Sequence, residues 1–293
     1  MPARTNATRG DAAAPGTTAT TAGILRPEEF ARHVELQRLP PSADLALWVE
    51  NHWVLRWSLP DDVRFVSQVL PHPTTNLTVE RGVRRPEAPP VAVLVTGPVT
   101  RRFDVQTTGS GWVWGVRFRP GGFAALAGAD ASALAERTVA AADVLAPAVV
   151  ARLDLLDRLD DAGTPAEEDR DRVEAALRPL AVGLPPDPEH ELVLAVVADM
   201  LADPTLVRVA QVAERHGVPV RRLQRLFARY VGVGPKWVLA RHRMHDVVSA
   251  LDAGWEGSLA DLAAEHGWYD QAHSTRDFRA LVGVTPAQYR EGR

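Results

Sequence analysis

The chain has 293 residues, 46% of them hydrophobic, and a formal net charge of -4. Such a chain can bury a substantial core, and its length favours two domains over one. It contains no cysteine, which excludes disulfides, zinc sites built on cysteine and thiol catalysis. The net charge alone argues against a nucleic-acid partner, so the distribution of charge along the chain decides that question.

The N-terminal segment, residues 1–23, is rich in Ala, Thr, Pro and Gly and has no sustained apolar stretch. It buries too little apolar surface to offset the entropy of ordering, so we expect a disordered tail. It also lacks the apolar core of a signal peptide or membrane anchor. A cytoplasmic protein without a membrane partner is therefore expected.

Residues 24–184 begin with the alternation of apolar and polar residues that is typical of half-buried strands. The two clearest examples are Leu45–Leu59 and Trp112–Phe118. Shorter apolar runs between Pro- and Gly-rich turns predict further strands at Val63–Leu70, Leu77–Glu80, Val91–Val95 and Arg101–Val105. The sequence thus predicts an antiparallel β-rich domain, either a small barrel or a sandwich.

After Gly122 the composition changes to Ala, Leu, Asp, Glu and Arg, which favours helices. The predicted helices are Phe123–Leu126, Ala146–Leu159 and Ala166–Leu180. An apolar stripe on the second of them either packs on its own domain or contacts another copy in a homodimer. The stripe consists of Val149, Leu153, Leu156 and Leu159. The segment from Gly183 to Pro188 cannot continue a helix, so a C-terminal domain is expected at residues 185–293.

Two stretches near the C-terminus follow one plan. Val212–Gly217 returns as Leu262–Gly267, and Arg225–Pro235 returns as Arg276–Pro286. Each copy predicts a short helix, a Gly-centred turn, a longer helix and a Gly-x-x-Pro stop. This is the pattern of a helix-turn-helix, whose second helix enters a DNA groove. The repeat predicts a protein that contacts two neighbouring major-groove segments.

The whole C-terminal region is expected to be helical. The predicted helices are Leu192–Leu201, Val207–Arg215, Val220–Val231, Pro235–Leu251, one that begins at a capping box of Ser258 and Asp261, and Gln271–Val282. Pro235–Leu251 joins the two motifs and would hold the recognition helices one helical turn of DNA, roughly 34 Å, apart. From Pro204 onward there are 13 Lys and Arg against 9 Asp and Glu, so this region is basic and suits DNA.

These features resemble the C-terminal DNA-binding domain of the AraC/XylS family of bacterial transcription regulators. The resemblance covers Val207–Arg290 and includes both motifs, the connecting helix and the closing stretch Gly283–Arg290. It implies sequence-specific binding of double-stranded DNA. The N-terminal half is similar, more loosely, to the sensor-like domains found ahead of this module. That likeness implies a small-molecule effector and RNA polymerase as further partners.

The resemblance also places individual side chains at the DNA. It assigns base contacts to Arg221, Gln224 and Arg225 in the first recognition helix and to Gln271, Ala272, His273, Thr275 and Arg276 in the second. Arg suits the acceptors of guanine, Gln those of adenine, and the Thr methyl group a thymine methyl. Phosphate contacts are expected for Arg222, Arg229 and Arg279, because phosphates take half or more of all protein–DNA hydrogen bonds. The alternative for each residue is a phosphate-contacting or merely solvated side chain.

Ser274 departs from the pattern of the resembling family. It lies one turn before Phe278, on the side of the predicted helix that faces the motif's interior, where the family usually has a large apolar residue. A hydroxyl there either finds a hydrogen-bond partner, such as a carbonyl one turn back, or leaves the site poorly filled. The second motif is therefore expected to be the less stable one.

An enzyme built on the β-rich half is the competing function. A small cupin-like barrel can hold a metal through histidine and glutamate, and the candidates are His33, Glu35, Glu50, His52, His72 and Glu80. These histidines lack His-x-His or His-x-x-x-His spacing, and the chain has no Gly-x-Ser-x-Gly turn, so we expect neither catalysis nor a cofactor.

A third alternative is a DNA-binding protein whose N-terminal domain binds only protein partners. Five tryptophans of that domain either line a ligand pocket or belong to its core. They are Trp48, Trp53, Trp57, Trp112 and Trp114.

Overall fold

The structure is a computed structural model that describes residues 23–82, 85, 87–154, 156 and 166–292. All but the last residue of the predicted disordered tail lies outside the described residues. So does most of the end of the predicted helix Ala146–Leu159, including Leu159 of the apolar stripe.

The N-terminal part of the described chain contains eight strands in two sheets. The strands are β1 (Glu35–Leu39), β2 (Val49–Ser58), β3 (Arg64–Val69), β4 (Asn76–Arg81), β5 (Val93–Thr96), β6 (Phe103–Thr108), β7 (Ser110–Phe118) and β8 (Thr138–Ala140). One sheet has six strands in the order β1-β2-β7-β4-β5-β8, and the other pairs β3 with β6. All pairings are antiparallel. Neither sheet closes on itself within the described residues, so the predicted antiparallel domain is confirmed as an open arrangement and not as a barrel.

Eleven α-helices complete the described part of the chain. They are α1 (Pro27–Ala31), α2 (Gly122–Ala127), α3 (Pro147–Asp154), α4 (Ala166–Ala181), α5 (Pro188–Ala202), α6 (Val209–Arg215), α7 (Val220–Leu226), α8 (Pro235–Asp252), α9 (Leu259–Glu265), α10 (Gln271–Val282) and α11 (Pro286–Glu291). The predicted two-part α+β architecture is thus confirmed. The division into domains at residue 184 stays a prediction.

The strand predicted over Leu45–Leu59 is present, but it is shorter than predicted and is not half-buried. Strand β2 begins at Val49, and a β-bulge between Val49 and Asn51 shifts its register against β7. Asn51 and His52 are both fully buried although they are neighbours in sequence. Because helices cover one face of the sheet and the second sheet covers the other, the strand has no solvated side.

Helix α4 is fastened to the six-stranded sheet by a buried polar group centred on Glu174. The carboxylate accepts hydrogen bonds from the Ser42 backbone N–H at 2.9 Å and from the Arg178 guanidinium at 3.2 Å. Its third partner is His52 Nε2 at 3.1 Å. Trp114 Nε1 can only donate, and it lies 3.2 Å from His52 Nδ1, so the imidazole proton is on Nε2 and points at Glu174.

The C-terminal helices form two apolar cores that share α8. The first core includes Val193, Leu223 and Phe227 from α5, α7 and the turn after α7. The second includes Leu262 and Phe278 from α9 and α10. Helix α8 supplies residues 238 and 239 to the first core and 244 to 251 to the second. One helix is therefore the structural link between both helix-turn-helix motifs.

Both C-terminal cores also include residues of the N-terminal part. Ala124 and Ala131 join the first core, and Leu25 and Leu70 join the second. The guanidinium of Arg102, just before β6, donates to the carbonyl of Val282 at the end of α10. A cation at a helix C-terminus complements the helix dipole. The β-rich part is thus packed against both motifs.

Candidate nucleic-acid interface

The first motif consists of α6, a turn at Gly217 and α7. Gly217 has a φ of 61°, a left-handed conformation that favours glycine and lets the chain reverse between the helices. On α7, Leu223 and Leu226 are buried in the motif's core. The three predicted base-contacting residues, Arg221, Gln224 and Arg225, are exposed on the other sides of the helix.

The first recognition helix is shorter than predicted. Val220–Val231 was expected to be one helix, but α7 ends at Leu226 and a π-helical turn follows over Phe227–Val231. Within this turn the Tyr230 hydroxyl donates to the carboxylate of Asp187, 2.9 and 3.0 Å from its two oxygens. Burial and the Asp187 carboxylate raise the pKa of Tyr230 to about 12, so the hydroxyl keeps its proton at neutral pH. This bond joins the recognition helix to the start of α5.

Two predicted phosphate contacts are already close to a carboxylate. Arg229 lies 3.2 Å and Arg222 3.9 Å from Glu189 of α5. All three side chains are exposed, and exposed pairs contribute at most about 1 kcal/mol. A DNA phosphate could replace Glu189 at little cost, so both assignments stay predictions.

The second motif consists of α9, a turn at Gly267 and α10. Of the predicted capping box of α9, the Ser258 cap is present, because its Oγ accepts from the Asp261 backbone N–H at 3.0 Å, while the Asp261 carboxylate accepts from the Ser258 hydroxyl at 2.6 Å. Asp270 caps α10 in the same way through the His273 backbone N–H at 2.7 Å. On α10 the structure exposes Gln271, Ala272, His273, Arg276 and Arg279 and half-buries Thr275.

His273 has an intramolecular partner that sequence reasoning missed. Its Nε2 lies 3.3 Å from Asp277, one turn further along α10. Asp277 also accepts a hydrogen bond from the Trp268 indole at 2.9 Å. A base contact by His273 would therefore have to compete with a carboxylate that is held in place by Trp268.

Ser274 is buried, as the sequence predicted, and it occupies the place of a leucine in the first motif. Counting back from Phe278 and Phe227, Ser274 of α10 corresponds to Leu223 of α7, and both are at most 5% exposed. The leucine fills the first core with an aliphatic side chain, whereas the serine offers only a hydroxyl group.

We expect Ser274→Leu to stabilise the second motif. The isopropyl group that replaces the hydroxyl would fill apolar space next to Phe278, and the gain would be about 1 kcal/mol. Thermal unfolding followed by circular dichroism measures it, with Ser249→Leu on the exposed side of α8 as the control. A lower melting temperature in Ser274→Leu would show that the core has no room for the longer side chain.

The helix that separates the two motifs sets their spacing. Helix α8 has 18 residues, which at 1.5 Å per residue gives a length of about 27 Å. It begins at Pro235 directly after the first motif and ends at Asp252 before the second. A separation of one turn of DNA between the recognition helices stays a prediction.

A cavity lies between the two sheets of the N-terminal part. It has a volume of about 170 Å³. Of the two alternatives for the tryptophans, the first holds for Trp53 and Trp57, which line this cavity. The second holds for Trp112 and Trp114, which belong to the core on the opposite face of the six-stranded sheet. Cavities lined by aromatic and aliphatic side chains with a few polar groups are typical ligand sites.

One contact between the cavity wall and α8 was not foreseen. Arg241, in α8, donates from Nε to the carbonyl of Pro71 at 2.6 Å and from its terminal nitrogen to Nδ1 of His72 at 2.6 Å. Pro71 and His72 both line the cavity. Burial and the guanidinium groups of Arg241 and Arg117 hold the pKa of His72 well below its usual range, so the ring is a neutral acceptor. No spacing in the sequence connects residues 170 positions apart, so only the fold could reveal this contact.

Two family models match the chain. Residues 212–292, which span both motifs, match a family described as "Helix-turn-helix domain". Residues 37–140 match a family described as "Domain of unknown function (DUF6597)". The chain therefore carries the DNA-binding domain of a transcription regulator. With two motifs joined by α8, that domain is of the AraC type.

Solved structures show further, distant likenesses. The C-terminal domain of AraT, a response regulator from Geobacillus stearothermophilus, is 24% identical, with 35% of this chain and 85% of that chain covered and a TM-score of 0.32. The C-terminal domain of the response regulator yesN from Fusobacterium nucleatum is 20% identical, with 36% and 99% covered and a TM-score of 0.31. ToxT from Vibrio cholerae is 11% identical, with 88% and 97% covered and a TM-score of 0.37. No curated protein matches the chain.

Across the part of the chain that the structure describes, no helix is long and apolar enough to cross a membrane.

Proposed function

We propose that the protein regulates transcription by sequence-specific binding of double-stranded DNA, with α7 and α10 in two neighbouring major-groove segments. One observation carries this proposal. The two motifs present an exposed arginine at the same position, Arg225 and Arg276, and share one rigid helix, α8. A guanidinium at such a place can bridge the O6 and N7 atoms of guanine.

For the other side chains that are predicted to contact DNA, in α7, in α10 and in the turn after α7, we propose the contacts that the sequence and the family resemblance imply. Base contacts are proposed for Arg221, Gln224, Gln271, Ala272, His273 and Thr275 in addition to the two arginines. Phosphate contacts are proposed for Arg222, Arg229 and Arg279. The exposure of all but Thr275 supports these assignments, and the ion pair of His273 with Asp277 makes His273 the weakest of them.

We further propose that a small-molecule effector acts through the N-terminal part. The cavity between the sheets supports this role, because its wall is bonded to α8 through Arg241. RNA polymerase and a second copy of the chain are additional proposed partners, for which the family resemblance is the support.

A metal-dependent enzyme is less well supported than a regulator. His52, one of the candidate metal ligands, is occupied by Trp114 and Glu174. Within the described ranges there is no group of three histidine or acidic side chains that could hold a metal ion.

Selection of bound sequences from a random duplex pool tests the proposal. At about 0.15 M salt we expect an enriched site with two conserved blocks whose centres are about ten base pairs apart. The control is the double variant Arg225→Ala/Arg276→Ala, which should enrich neither block. A single block would mean that only one helix reads bases, and no enrichment would refute sequence-specific binding.

A further inference from the structure

The cavity between the sheets has the size of a one-ring molecule. Its volume of about 170 Å³ is close to that of an engineered apolar cavity of about 150 Å³ that accepts benzene. Most of its wall is apolar, from the aromatic and aliphatic side chains Ile24, Phe30, Trp53, Leu55, Trp57 and Val113. The wall therefore favours a compact apolar body.

Polar groups are not spread evenly over this wall. Three arginines line the cavity, Arg38, Arg85 and Arg117, and Glu80 is the one acidic residue among the described residues that line it. Glu80 is already paired with Arg85 at 2.6 Å. The described lining of the cavity thus carries more positive than negative charge, and the carboxylate of Glu50, outside this lining, acts on both Arg38 and Arg117.

Arg117 is the cation best placed to meet a ligand. It alternates along β7 with Val116, whose side chain packs in the core under the helices, so Arg117 faces the cavity. Its Nε is buried and has no hydrogen-bond partner within the part of the chain that the structure describes. The same is true of Thr74 Oγ1, which also lines the cavity. Burial lowers the pKa of Arg117, and the carboxylate of Glu50 opposes that shift.

The apolar and charged parts of the wall meet at Trp53. Its indole lies over Gly115, where any side chain would overlap the ring, and its Nε1 donates to Asn76 at 3.3 Å. Asn76 is the register partner of Arg117 on the neighbouring strand β4. An aromatic face and a guanidinium are thus presented side by side to whatever occupies the cavity.

We propose that the cavity binds a small monocarboxylic acid with one ring-sized apolar body, its carboxylate on Arg117 and its apolar part between Trp53 and Trp57. A planar guanidinium matches a carboxylate with two parallel hydrogen bonds, and the Nε of Arg117 has no partner among the described residues and is available for one of them. The proposal rests on the proposed effector-responsive function and names the ligand class. The bound anion would lie near His72 and Arg241 and so act on the contact with α8.

The test compares phenylacetate with phenylacetamide, a neutral molecule of the same shape, on the full chain. Titration calorimetry and quenching of tryptophan fluorescence report binding, since Trp53 and Trp57 line the cavity. We expect phenylacetate to bind at least about tenfold more tightly than the amide. Equal affinities for acid and amide, or no binding of phenylacetate, cyclohexanecarboxylate or indole-3-acetate up to about 10 mM, would overturn the proposal.

A pair of variants locates the site. Arg117→Met should weaken phenylacetate binding by about tenfold or more, while Arg81→Met, at an exposed arginine outside the cavity, should leave it unchanged. If Arg117→Met does not fold, the comparison of acid and amide on the unchanged protein still decides. DNA binding by the ligand-free, unaltered protein is measured in parallel. If this protein does not bind DNA, the proposed function is refuted. If it binds DNA but none of the acids, only the proposed ligand class is refuted.

Discussion

Replacing Arg225 or Arg276 with alanine is expected to relax DNA sequence preference in one half of the binding site only. Each arginine is exposed on its own recognition helix, and the two motifs are joined through α8. Loss of a bidentate contact to guanine costs about 1 to 3 kcal/mol, which is about 5- to 150-fold in affinity. Competition binding with duplexes altered in one block or the other measures the effect.

The matched control for these variants is Arg279→Ala. Arg279 is exposed in the last turn of α10 and is proposed to contact phosphate. Its removal should weaken binding to all duplexes alike and make binding less dependent on salt. If Arg225→Ala or Arg276→Ala behaves like Arg279→Ala, the arginine contacts phosphate and the proposed base contact is wrong.

The second large effect is expected at Glu174, in the N-terminal part. Glu174→Ala would leave the buried His52 ring and the partly buried Ser42 backbone N–H without an acceptor. Each buried donor that is left without a hydrogen-bond partner costs about 1 to 3 kcal/mol of unfolding free energy. Denaturant titration at pH 7 measures it, and Glu168→Ala, at an exposed position of the same helix, should change stability by no more than about 0.5 kcal/mol.

The same residue predicts how stability depends on pH. Burial opposes ionisation of Glu174, but hydrogen bonds from His52 and Ser42 outweigh it and lower its pKa below the ordinary value of 4.5. The stabilisation by the ionised form is therefore complete above pH 4.5 and is lost as the pH falls through the lower pKa of the folded state. The stability difference between the unaltered protein and Glu174→Gln should shrink in that range. A difference independent of pH would contradict the assignment.

Much of the C-terminal domain could be predicted because its signals are local. The repeated Gly turns, the Gly-x-x-Pro stops and the cap at Ser258 fix helix ends within a few residues of each signal. The predicted bounds of α10 are those of the structure. The π-helical turn after Leu226 was missed, and so was the bond from Tyr230 to Asp187, which joins residues 43 positions apart.

The N-terminal part could be predicted only in outline. Alternation and short apolar runs together indicated the other six strands, but β1 is mostly polar and β8 has three residues, so neither gave a recognisable pattern. The sequence also could not show which face of β2 meets helices and which meets the cavity, because both are covered. In the sequence, an arginine that alternates with apolar residues, such as Arg117, has the pattern of a solvent-facing side chain. Only the position of the second sheet shows that Arg117 faces a cavity.

The contact of Arg241 with the cavity wall divides α8 unequally. Arg241 lies six residues, about 9 Å, from the first residue of α8 and eleven residues, about 16 Å, from the last. If α8 tilted about the Arg241 contact, its two ends would move in opposite directions. The second motif would then move almost twice as far as the first. The spacing between the two DNA half-sites that the recognition helices can contact would change with such a tilt.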